Sequence, residues 1–130
     1  MASGVALTEY GKYFETISVC LSKGLGAPVG SILISNKENI AKARIWRKRY
    51  GAGMRQVGVL AAAGHYALDH NIARLKEDHA RAQILAKAIH SVSPTVIDPA
   101  NVHTNILALD LSGISINSSE LAKRCKDNGV

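Results

Sequence analysis

This chain of 130 residues is poor in cysteine (two), proline (three) and aromatic side chains (six). Two thiols cannot staple a small secreted domain, and Cys20 and Cys125 sit in apolar or helical patterns, so a reducing compartment is expected. Long apolar runs are missing as well. The longest, residues 57–63, is interrupted by Gly58 and falls far below the roughly 18 residues that a membrane-spanning helix needs. Residues 1–9 have neither the basic start and long apolar stretch of a secretory signal nor the arginines of a transit peptide, so the expected location is cytoplasmic, with no membrane partner. Repeats and low-complexity tracts are absent.

What is present is a core-forming composition. Hydrophobic residues make up 47% of the chain and charged residues 20%, which excludes intrinsic disorder. Sixteen Lys and Arg against ten Asp and Glu give a formal charge of +6. Residues 17–21 and 31–35 are short apolar runs that read as neighbouring strands, joined by the glycine-rich turn 22–30. Asn36 is placed to cap a helix running to about Tyr50, with Glu38 in its first turn and Gly51 and Gly53 ending it. A helix over 54–70 is apolar almost all round and is expected to be buried on most sides. Residues 72–92 place Ile72, Leu75, Ala82, Leu85, Ala86 and Ile89 on one stripe and predict an amphipathic helix. A loop over 94–101, a strand over 104–111 and a helix over 118–126 with a serine cap complete the reading.

Lys23 stands out chemically. It follows an apolar strand directly and opens a glycine-rich turn; an amine becomes a nucleophile at neutral pH when desolvation or a nearby cation lowers its pKa. The competing reading is a loop lysine whose ammonium reaches water. Gly24, Gly26 and Gly30 match neither a phosphate-binding loop nor a dinucleotide fingerprint, and shape the turn.

The run Ser18-Val-Cys-Leu-Ser-Lys-Gly-Leu-Gly-Ala-Pro-Val-Gly-Ser31 resembles the cofactor-lysine segment of the low-specificity L-threonine aldolases, and Ala43-Arg-Ile-Trp-Arg-Lys48, Gly51-Ala-Gly-Met-Arg-Gln56, Ala61-Ala-Ala-Gly64 and His103-Thr-Asn105 extend the resemblance. It implies an α/β fold, a piece of the pyridoxal-phosphate-dependent transferase fold type I. Residues 1–92 would be the C-terminal part of the cofactor-binding major domain, and 93–130 the start of a small α+β domain. The implied activity is cleavage of L-threonine or L-allo-threonine to glycine and acetaldehyde, with pyridoxal 5'-phosphate as cofactor. Lys23 would be the catalytic residue, bonded to the cofactor aldehyde. Arg55 and Ser22 would bind the phosphate, Arg55 across a subunit interface, and Asn105 would face the substrate. The full-length parent would be a homodimer or homotetramer.

The same resemblance implies a chain truncated at both ends. The Asp-Gly-Ala-Arg segment that holds the pyridinium nitrogen and substrate carboxylate would lie upstream, and a carboxylate-binding arginine downstream. The isolated chain is therefore expected to bind pyridoxal phosphate weakly if at all and to be inactive, and a non-catalytic fragment or partner subunit is the alternative. A basic nucleic-acid-binding module is the weaker one: residues 37–55 interleave seven Lys and Arg with Trp46 and Tyr50, but no recognised motif accompanies them, so no nucleic-acid partner is expected. No metal site is expected either, because His65 and His70 do not share a helix face and His79 and His103 have no companion ligands. His79 is read as a core-edge residue and Cys20 as an apolar filler whose thiol burial would raise.

Overall fold

The computed structural model describes residues 2–130. A short helix α1 (Leu7–Tyr10) precedes strands β1 (Ile17–Cys20) and β2 (Ser31–Ile34). Helices α2 (Lys37–Arg49), α3 (Gly58–His70) and α4 (Leu75–Val92) follow, then a 3-10 turn (Pro99–Asn101) and α5 (Ser118–Asp127). Among the described residues no helix is long and apolar enough to cross a membrane.

The strands pair antiparallel, with Ile17 opposite Ile34 and Cys20 opposite Ser31. β-branched side chains alternate along both, which suits a half-buried pleated surface. The Ser35 hydroxyl donates to the Glu15 carbonyl at 2.6 Å and ties the open end of the pair. α2 starts where expected, because the Asn36 side chain accepts from the Asn39 amide at 2.8 Å. It ends in a Schellman arrangement, in which Gly51 N–H bonds Lys48 O at 3.1 Å and Ala52 N–H bonds Arg47 O at 3.0 Å.

Three expectations need correction. α3 begins at Gly58 and not near residue 54, since Gln56 takes a left-handed φ of 53° that no helix continues. Nor is α3 buried on most sides. Only Gly64 and Ala67 are buried, while Val59 is 77% and Tyr66 62% exposed; its alanine-rich surface packs along one stripe. The strand expected over 104–111 is irregular chain: among the described residues its backbone link to a neighbouring segment is Asp110 N–H to Val96 O at 2.8 Å. β propensity without a partner strand does not make a strand.

The chain divides into two compact units, up to Lys76 and from Glu77 onward. In the first, Leu21, Leu25, Ala27 and Ala67 form the core, with Ile32, Leu68, Ile72 and Leu75 against it. Each leucine side chain buried there contributes about 2 kcal/mol through lost apolar surface. In the second, Ala82 and Ala86 of α4 meet Ile97 and Val102. Side chains of α4 also hold the 3-10 turn: Gln83 donates to Pro99 O at 3.0 Å and to Val102 O, and His90 Nδ1 meets Ile97 O at 2.8 Å.

Candidate active site

β1 delivers the chain into the glycine-rich turn with its side chains alternating inward and outward. Leu21, Leu25 and Ala27 are buried, whereas Ser22 and Lys23 are exposed. Backbone bonds set this alternation. Leu21 N–H reaches Gly30 O at 2.9 Å, Ala27 N–H reaches Leu21 O at 3.0 Å, and Gly26 N–H closes a tight turn on Lys23 O at 2.8 Å. Gly26 takes φ +72°, a conformation that side-chain-bearing residues adopt at a cost of about 1 kcal/mol or more.

Three reactive groups are consecutive or nearly so. The Cys20 thiol lies 3.4 Å from the Ser22 hydroxyl. Hydrogen bonds from the Ser22 side chain and backbone hold the thiol below its ordinary pKa, helped by Ser31 and the charge of Lys23, and these outweigh the opposing effect of desolvation. The expectation for Cys20 is thereby corrected: it is half-buried and its thiol is lowered, because its neighbours are donors and not aliphatic side chains. The Lys23 side chain makes no hydrogen bond among the described residues.

Arg55 lies exposed in the link between α2 and α3, beside the left-handed Gln56. No hydrogen bond or ion pair joins it to Ser22 or Lys23 among the described residues. Asn105 is exposed in the second unit, next to a local bond from Ile106 N–H to Thr104 Oγ1 at 3.3 Å. Ser22 and Lys23 are adjacent on one turn of the first unit, Arg55 belongs to the link between α2 and α3 of that unit, and Asn105 belongs to the second unit. Two surface clefts, one at Val5 to Phe14 and one at Leu109 to Ser118, include none of the four. Among the described residues no three or more His, Cys, Asp or Glu side chains gather as a metal site.

The motif reading passed over two further residues of this unit. Asn71 Nδ2 donates to Leu25 O at 2.7 Å, and Arg74 donates to Gly24 O at 3.3 Å. Their sequence signal was weak, two polar positions in the short link between α3 and α4.

For pyridoxal phosphate the donor set fits in kind. An accessible amine without a hydrogen bond meets the requirement of an aldehyde, and a hydroxyl with a guanidinium meets that of a phosphate. The family model described as beta-eliminating lyase matches residues 1–112.

The chain belongs to the beta-eliminating lyase family.

Among its relatives, this beta-eliminating lyase chain is similar to low-specificity L-threonine aldolase 1 of Arabidopsis thaliana, 39% identical over the whole chain and 37% of that protein. It is 48% identical to low specificity L-threonine aldolase of Escherichia coli over 97 residues, which cover 75% of this chain and 29% of the relative. With the Candida albicans low-specificity L-threonine aldolase it shares 33% identity over 95% of the chain and 32% of the relative. The chain spans about a third of the length of the curated relatives it matches.

Proposed function

We propose that this chain is the lysine-bearing part of a fold type I pyridoxal-phosphate enzyme that cleaves L-threonine and L-allo-threonine to glycine and acetaldehyde. The observation that carries the reading is the Lys23 amine, exposed and without a hydrogen bond among the described residues, on the turn after β1 whose Leu21, Leu25 and Ala27 are buried. The similarity to low-specificity L-threonine aldolases supports the substrate class.

When bound, the cofactor supplies an electron sink for the pair released at Cα as the Cα–Cβ bond breaks. This chain's own residues do the holding. The Lys23 amine would hold the cofactor through its aldehyde and, as a free amine, could carry a proton at Nζ. The Ser22 hydroxyl would donate to a phosphate oxygen. The Arg55 guanidinium would offer two parallel donors to the same phosphate, from a neighbouring copy of a dimer or tetramer. Asn105 supplies an amide toward the substrate. In this reading residues 1–92 belong to the cofactor-binding domain and 93–130 to a smaller α+β domain. The 130-residue chain alone is expected to turn over no substrate.

Adding pyridoxal phosphate to the chain tests this directly. An imine absorbance band should form and should be clearly smaller in Lys23→Ala; a band of equal size in that variant contradicts the assignment. The basic helix α2 does not favour a nucleic-acid reading, because no recognised nucleic-acid motif accompanies its Lys and Arg. Trp46 stacks on Tyr50 with centroids 5.8 Å apart, and the Arg49 guanidinium lies 5.0 Å from the Trp46 ring.

A further inference from the structure

We infer that Asn71 and Arg74 are positioning residues for the Lys23 amine. The inference rests on the reading of Lys23 as the cofactor-binding lysine. Two side chains from one four-residue link take two consecutive carbonyls of the turn that Lys23 opens: Asn71 takes Leu25 O at 2.7 Å and Arg74 takes Gly24 O at 3.3 Å. Those carbonyls lie 46 and 50 residues away in sequence, so the contacts are tertiary.

The clamp is itself anchored. Asn71 N–H bonds Ala67 O at 2.9 Å, at the end of α3. Ile72 and Leu75, on either side of Arg74, pack against the Leu21, Leu25 and Ala27 cluster. The turn is shaped to receive it. A Cβ on Gly24 would stand 2.9 Å from the Leu75 Cδ2, and one on Gly26 would stand 3.5 Å from the Asn71 amide nitrogen. Leu25 is 9% exposed, so its carbonyl depends on a protein donor more than a solvated loop carbonyl would.

The mechanical consequence falls on the neighbouring residue. With Gly24 O and Leu25 O held, and Gly26 N–H bound to Lys23 O, the peptide units after Lys23 cannot rotate freely. The direction in which the Lys23 stem leaves the turn is then fixed by α3 and the start of α4. Without the two donors the turn samples other ψ values at Lys23, and the amine loses the single outward orientation that favours it over freely moving lysines in meeting an aldehyde.

The test uses the 130-residue chain, pyridoxal phosphate as probe, borohydride trapping and peptide mapping, with the other lysines as internal references. In the unsubstituted chain Lys23 should be labelled in preference to the others. Asn71→Ala, Asn71→Asp and Arg74→Met should each reduce that preference by about fivefold, the scale of one lost hydrogen bond. Arg74→Lys, which keeps a cationic donor, should recover most of it. Hydrogen exchange at the Gly26 and Ala27 amides should accelerate in the same three variants with helical circular dichroism unchanged. If exchange accelerates while the preference for Lys23 persists, the two residues are structural braces and the inference is overturned; unchanged exchange overturns it as well. A chain with no preference for Lys23 before any substitution sinks the cofactor assignment itself, an outcome distinct from either.

Discussion

Ser22 has two partners in this account, the Cys20 thiol in the structure and a phosphate oxygen in the proposal. Its hydrogen bonds favour the thiolate, so Ser22→Ala should raise the Cys20 pKa. Alkylation of Cys20 by iodoacetamide should then follow a rate profile displaced to higher pH, and an unmoved profile would mean that the Ser31 and Lys23 contributions dominate. The sign for folding is the same as for any depressed acid. Stability from this thiolate is present above the ordinary thiol pKa and is lost as pH falls through the lowered value. At this scale the sequence was half legible. The run around Ser22 and Lys23 is specific enough to propose roles for both, while the state of Cys20 was not legible, because alternation along β1 gives a side chain's face and says nothing of which donors meet it there. Asn71 and Arg74 escaped notice for a related reason: their partners are backbone carbonyls far away in sequence.

At the scale of elements, caps carry predictions that packing does not. Asn36 and Asn117 each accept a backbone N–H at the start of a helix, at 2.8 and 2.9 Å. Asn36→Ala and Asn117→Ala should each cost about 1 kcal/mol, measured by urea denaturation or as fraying of the first turn in hydrogen exchange. Asn117 rather than a serine caps α5, a displacement by one residue from the sequence reading. The turn at Asp110 titrates. The Ser112 backbone and side chain hold its carboxyl below the usual carboxylate range, so its contribution to the turn is present above the ordinary carboxylate pKa and lost as pH falls through the lowered one. The Ser112 amide resonance should track that loss, and Asp110→Asn should abolish the dependence. Helices α2, α4 and α5 were readable from caps and periodicity. The strand over 104–111 was misread because a strand is a property of a pair, and its composition carries no word of a missing partner. The burial of α3 was overestimated for the same reason: an apolar surface states what it can pack against, not that something is there.

The whole molecule exposes 10195 Å². A compact monomer of 13.8 kDa exposes about 6,600 Å², and two separate compact units of half that mass about 8,000 Å² in total. The excess is partly apolar, for Tyr13, Val59 and Ile106 are 80%, 77% and 73% exposed and no large side chain is fully buried among the described residues. The chain alone should therefore bind a hydrophobic dye such as ANS and unfold over a broad thermal range; a sharp transition without dye binding would show that the two small cores suffice. Family membership was legible in local motifs at this scale, whereas the exposed faces are legible only in coordinates. The most direct test of the cofactor lysine is to treat the chain with pyridoxal phosphate, reduce it with borohydride and digest it with trypsin. Modification at Lys23 blocks cleavage there, so the account predicts the label concentrated on the peptide of residues 13–37; a label spread evenly over the other lysine peptides, with cleavage at Lys23 intact, would contradict it.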